Sequence, residues 1–157
     1  MKKIFVMIAT LLFTASLFAE PKTTGITDSD VKNFIKNSNA ISKEFEEAGI
    51  KANKKMSSKQ KKAAEVILQK YGIEAPAVEK YKMINNCLAA IVAEMQWESQ
   101  PGSDEEKAMM EKTGLTPFAL LKLSTNSKDY EVVKANALGV IEAMKNITGQ
   151  DVMAPAQ

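Results

Sequence analysis

The sequence predicts an all-α, single-domain bundle of about six helices, and three observations carry that expectation. Apolar residues recur at alternating steps of three and four, the spacing that keeps side chains on one stripe of a helix. Helix-start signatures, a Ser or Thr followed three places on by Asp, Glu or Gln, occur repeatedly, and Gly followed by an apolar residue marks the stops. No run alternates with period two over strand length, and no Asn-Gly or Asp-Gly hairpin signal is present.

Residues 1–19 read as a secretory leader. Lys2 and Lys3 form its charged start, Ile4 to Phe18 its apolar run, and Ala19 offers a small residue before the cut. The apolar run is short for a membrane helix, and no stop-transfer pattern follows it. The expectation is an exported protein, periplasmic or extracellular, with no transmembrane helix after cleavage. Removing nineteen of 157 residues leaves 138, enough for one core. Residues 20–26 are expected to be a polar lead-in, 27–147 the helical domain, and 148–157 a flexible tail.

Thr27 opens the first helix as its N-cap, with Asp30 at the third position and Ile26 and Val31 placed as a hydrophobic staple. Val31, Phe34 and Ile35 give its buried side, Asn37-Ser38-Asn39 interrupts it, and Ile41, Phe45 and Ala48 carry a second phase as far as Gly49-Ile50. Ser57 with Gln60 opens the next helix, which carries Ala63, Val66, Ile67 and Tyr71 and stops at Gly72-Ile73. A long central helix is expected over 76–98, with Pro76 in its first turn. Ala77, Tyr81, Ile84, Leu88, Ile91 and Met95 form its stripe, widened by Ala89, Ala90, Val92 and Ala93.

Gln100-Pro101-Gly102 then forces a turn, and Ser103 with Glu106 starts a short helix holding Ala108, Met109 and Met110. Thr116 caps another, with Pro117 at its first position, a Leu115/Leu120 staple, and Phe118, Leu121 and Leu123 expected inside. A last long helix is expected near 128–147, with Tyr130, Val133, Ala137, Ile141 and Met144 on one stripe and Gly139 on the opposite side.

Composition excludes several kinds of chemistry. There is no histidine, so Ser-His-Asp and Cys-His nucleophiles, His-ligated zinc and the Glu-x-x-His di-iron bundle site are missing. Carboxylates or lysines could still catalyse, but no spacing singles out a pair, and the chain is read as a non-enzyme without a cofactor. All 21 basic residues are Lys, which lacks the two-pronged grip of Arg on carboxylate or phosphate. The leader takes two of them, leaving nineteen against nineteen acids. No global basic field argues for nucleic acid. One cysteine cannot form a disulfide within the chain, so packing must supply the stability.

Two groups stand out as candidate sites. Lys51, Lys54, Lys55, Lys59, Lys61 and Lys62 crowd twelve residues that hold no acid. They read either as a patch for a protein or anionic envelope partner or as a solvated loop and helix start. On the central helix, Lys80, Cys87, Glu94 and Glu98 line one edge of the apolar stripe. Cys87 there reads as a reactive or partner-linking thiol tuned by a neighbouring Lys, or as a small hydrophobe at the core border with solvated charges above and below it. Met109-Met110 raises a Cu(I) site against plain gap-filling, and Trp97 reads as a rim for a ligand or as the cover of a core end.

Met56-Ser57-Ser58-Lys59-Gln60 resembles the Leu-Thr-x-x-Gln motif of Spy/CpxP-type periplasmic stress proteins, with Met for Leu and Ser for Thr. That resemblance would imply an exported all-helical chaperone or adaptor. It covers five residues, and the same five form a Ser-x-x-Gln capping box. With a leader, a helical bundle and no catalytic constellation, the functional expectation is an exported helical binding protein, chaperone- or adaptor-like, that uses the Lys51–Lys62 region. The alternative is a carrier of a small apolar ligand or lipid, held between the central and last helices.

Overall fold

The computed structural model describes residues 21–51, 55–99, 104–114 and 116–148. The leader, Lys54, the Ser103/Glu106 capping box, Leu115 and the tail therefore lie wholly or partly outside the described residues. Seven helices are described: α1 (Asp28–Glu47), α2 (Ser58–Lys70), α3 (Ala77–Ser99), α4 (Asp104–Thr113), α5 (Pro117–Lys122), α6 (Ser127–Ala135) and α7 (Ala137–Thr148). Six pack in one body, all but α4, and no strand occurs among the described residues. None of the described helices is long and apolar enough to cross a membrane.

The central position of α3 follows from its composition. Ala77, Tyr81, Ile84, Leu88 and Ile91 are buried, as are Ala90 and Ala93, while Ala89 faces out. With α1, α2, α5, α6 and α7 all packed against it, α3 is apolar on more than one side. Phe34 and Phe45 of α1 meet the Tyr81 ring edge to face at 5.8 and 5.4 Å, the arrangement favoured by the ring quadrupoles.

The starts of α1 and α2 fold as their sequences dictate. Thr27 accepts from the Asp30 amide while Asp30 accepts from the Thr27 amide, and Ser57 and Gln60 repeat the exchange. Gly49 and Gly72 end the two helices at positive φ, followed by buried Ile50 and Ile73, as a glycine C-cap requires. The helix α3 begins one residue after Pro76, and its first amides, Ala77 and Val78, donate to the Glu65 carboxylate at 2.7 and 3.0 Å. A side chain of α2 thus supplies the cap that proline cannot.

Several local expectations are corrected. Asn37-Ser38-Asn39 does not interrupt α1: Asn37 donates to the Asn33 carbonyl and Ser38 to that of Ile35, so the helix runs through. The last long helix breaks at Asn136, whose side chain donates to the Val132 carbonyl and to Asp28. Gly139 does not face away: a Cβ there would sit 3.0 Å from Ile35 Cδ1, so the missing side chain lets α7 approach α1. Val66 and Leu123 are exposed at 67% and 62%, because α2 turns Ala64 and Leu68 inward and α5 turns Leu121.

The polar lead-in is tied down. Asp129, 1% exposed at the start of α6, accepts from Thr23 Oγ1 (2.9 Å), Thr24 N (2.7 Å), Thr24 Oγ1 (3.0 Å) and Ile26 N (3.4 Å). Asn126 adds a hydrogen bond to the Pro21 carbonyl. Residues 21–26 are thereby strapped across the N-terminus of α6.

Candidate functional site

The edge expected on α3 separates into four different environments. Lys80 is buried at 3% exposure, not solvated, because the first turn of α1 lies across it. Its ammonium sits 2.8 Å from the Asp30 carboxylate, which also accepts from Thr27 N, Thr27 Oγ1 and Glu74 N. Burial disfavours the Asp30 anion, but the Lys80 and Thr27 hydrogen bonds outweigh it and hold the carboxyl below its usual range. This pair locks α1, α3 and the loop between α2 and α3 together.

Cys87 is fully buried. Burial, with the nearby Asp129 charge second, pushes its thiol up to about 12. Burial and the nearby carboxylate both favour the neutral thiol, whereas a tuned nucleophile has a cation beside it that favours the thiolate. Glu98 is exposed on the last turn of α3, and its carbonyl accepts from Lys107 at 3.4 Å.

Glu94 has the partners that sequence reasoning missed. Tyr130 Oη donates to it at 2.7 Å, Lys134 at 3.0 Å and Lys122 at 3.1 Å. Burial opposes its ionisation, yet the hydrogen bonds from Tyr130, Lys134 and Lys122 prevail, and the carboxyl falls to about 2. Burial first, then the Glu94 bond, pushes the Tyr130 hydroxyl above its ordinary value. Lys122 also lies over the Tyr130 and Phe118 rings, at 4.7 and 5.3 Å from their centroids, and Lys134 lies over Tyr130 at 5.7 Å. Both Glu94 oxygens are engaged, so this cluster clamps α3, α5 and α6 rather than presenting a vacant charge.

The lysine cluster is arranged differently. Lys51, Lys55, Lys59, Lys61 and Lys62 are all exposed, and none has an ion-pair partner among the described residues. They flank the turn from α1 into α2, where Gln60 donates to the Gly49 carbonyl and fixes the two helix ends against each other. The first turn of α2 contains no acid. The lysines therefore add to the positive end of the helix dipole instead of opposing it. The Met56–Gln60 motif is used as a cap, both by Ser57 and by Gln60.

Elsewhere the methionines divide by position. Met56 and Met83 are buried, while Met109 and Met110 are exposed on α4. Among the described residues no group of three or more His, Cys, Asp or Glu side chains could hold a metal ion. Trp97 is half-buried and reaches Glu111 at 3.4 Å. An open groove of about 350 Å³ runs between Ile35 and the α6–α7 break, lined by Lys134, Asn136 and Leu138 among others. It lies away from the seam of α3 and α7 where a carried ligand was expected, and Val140, Ile141 and Ala143 of α7 are buried. Comparisons with family models, with curated proteins and with solved structures found no match.

Proposed function

We propose that the protein is an exported binding protein, chaperone- or adaptor-like, that engages an anionic partner through the lysines around the α1–α2 turn. The observation that supports it is the exposure of five lysines beside the helix ends joined by the Gln60–Gly49 hydrogen bond, none with an ion-pair partner among the described residues. An uncompensated cationic surface next to a helix N-terminus attracts acidic polypeptide or anionic lipid headgroups at long range.

The test uses two probes, polyglutamate and vesicles containing anionic lipid, each compared with a neutral counterpart. Near an anionic membrane each lysine contributes about 1 kcal/mol. Replacing Lys55, Lys59, Lys61 and Lys62 by Gln should therefore lower vesicle affinity by roughly a hundredfold or more. Salt should weaken binding of the native protein and have little further effect on the variant. Equal binding of both proteins to both probes would refute the proposal.

A further inference from the structure

The outward face of α2 combines charge with an apolar contact. Ala64 and Leu68 turn the helix towards the core, and Lys59, Lys62, Val66 and Gln69 lie on the other side, all exposed. At about 100° per residue, Lys59, Lys62 and Val66 fall within about 60° of one another. Lys51 and Lys55, on the turn that leads into α2, are exposed as well. Glu46 and Glu47 at the end of α1 are exposed acids, but six lysines outnumber them over residues 46–62. Glu65, next to Val66 in the chain, is turned to the Ala77 and Val78 amides, and Glu44 is paired with Lys70.

The make-up of this face favours lipid over polypeptide. Protein interfaces are rich in aromatic side chains and Arg and poor in Lys, and those anchors carry most of their binding energy. This chain has no Arg, and the exposed residues of the face include no aromatic. A lysine ammonium is a point charge on a flexible stem, without a fixed two-pronged geometry. It suits a fluid array of headgroups, where each lysine near the surface strengthens binding by about fivefold. Val66, set between lysines whose stems can lie along the interface, adds an apolar contact at the headgroup boundary.

We propose that the Lys59–Lys62–Val66 face of α2, with Lys51 and Lys55 beside it, docks reversibly on an anionic phospholipid surface. The proposal rests on reading the lysines as a binding surface, and it names the partner. It also orients the molecule. Because α2 packs on α3, the axis of α3 lies about 8–10 Å behind the docked helix. Glu65 pins α2 at Ala77, and Trp97 lies about 30 Å further along α3 at ~1.5 Å per residue. Val66 therefore touches the lipid while Trp97 stays clear of it.

Vesicles containing phosphatidylglycerol test this on the purified protein, with phosphatidylcholine vesicles and polyglutamate as comparators. The native protein should sediment with the anionic vesicles at low salt, leave them at high salt, and ignore the neutral ones. Val66→Ser should weaken vesicle binding by roughly threefold or more through the lost apolar contact, and leave polyglutamate binding unchanged. Brominated lipid should quench the tryptophan of a Val66→Trp, Trp97→Phe protein and leave native Trp97 unquenched. An unchanged circular dichroism spectrum confirms that each variant is folded.

Native protein that binds polyglutamate through its lysines but not anionic vesicles overturns the inference and leaves the reading beneath it standing. Vesicle binding indifferent to Val66→Ser overturns it too, as does an unquenched tryptophan at position 66. So does a Val66→Ser protein that loses polyglutamate and vesicles equally, since the face would then be a polypeptide site. If the native protein binds neither probe, or binding to both survives loss of the lysines, the reading beneath has failed as well.

Discussion

The Asp30–Lys80 pair predicts an asymmetry that unfolding experiments can measure. Both groups are buried, at 1% and 3% exposure, but their partners are unequal. Asp30 has four donors, namely Thr27 N at 2.9 Å, Thr27 Oγ1 at 2.8 Å, Glu74 N at 3.0 Å and Lys80 Nζ at 2.8 Å. Among the described residues the Lys80 ammonium has Asp30 alone. In Lys80→Met the carboxylate keeps three donors, so the loss should be one charge-assisted hydrogen bond, about 1.5–3 kcal/mol. Asp30→Ala instead strands a buried ammonium, which costs about 3–5 kcal/mol. It also removes half of a capping box, adding about 1 kcal/mol.

The double variant should therefore be more stable than Asp30→Ala, by about 2 kcal/mol, because no charge is left behind. Urea unfolding would read this as a midpoint for Asp30→Ala lowered by about 2 M, at a slope of 1–3 kcal/mol/M, partly recovered on adding Lys80→Met. If Lys80→Met is as damaging as Asp30→Ala, or if the two effects simply add, the reasoning is wrong.

Three further outcomes follow from the same geometry. The folded Glu94 carboxyl sits near 2, below its ordinary value of 4.5. Its stabilising contribution is thus complete above pH 4.5 and lost as pH falls towards 2, and Glu94→Gln should flatten stability over that interval in acid unfolding curves. Gly139→Ala should be close to neutral in the native background, since its Cβ meets Ile35 Cδ1 at 3.0 Å while helix propensity improves. With Ile35→Val, which removes that carbon, the same change should stabilise thermal unfolding by about 0.5–1 kcal/mol. Cys87 should resist a thiol reagent such as DTNB in the native protein and react fully in denaturant, and rapid native labelling would contradict its burial.

What the sequence made legible was local. Thr27–Asp30 and Ser57–Gln60 declare their helix starts within four residues, and Gly49-Ile50 and Gly72-Ile73 declare the stops, so the ends of α1 and α2 could be read directly. Asn37-Ser38-Asn39 misleads because its propensity is weak against packing. Once Phe34 and Ile41 are buried on either side, the polar side chains bond to the helix's own carbonyls. Val66 misleads because two overlapping stripes fit α2, and only tertiary packing selects the one through Ala64 and Leu68.

The partners of Glu94 come from 28, 36 and 40 residues away, and no periodicity encodes such distances. Asp30 shows both regimes in one side chain. Its bond to Thr27 is written in the spacing, while its bonds to Glu74 and Lys80 are not.

The strap at Asp129 closes the longest loop among the hydrogen bonds of the lead-in. Its bonds join residues separated by 103 to 106 positions, so they form only after nearly all the helical core has been synthesised. Bringing such distant segments together carries a loop-closure entropy on the order of 4 kcal/mol in an unfolded chain. Prior packing of α1 against α6 and α7 removes most of that penalty. Residues 23–26 are thus held by a side chain more than a hundred positions away, and a chain truncated before Asp129 loses the anchor of that strap.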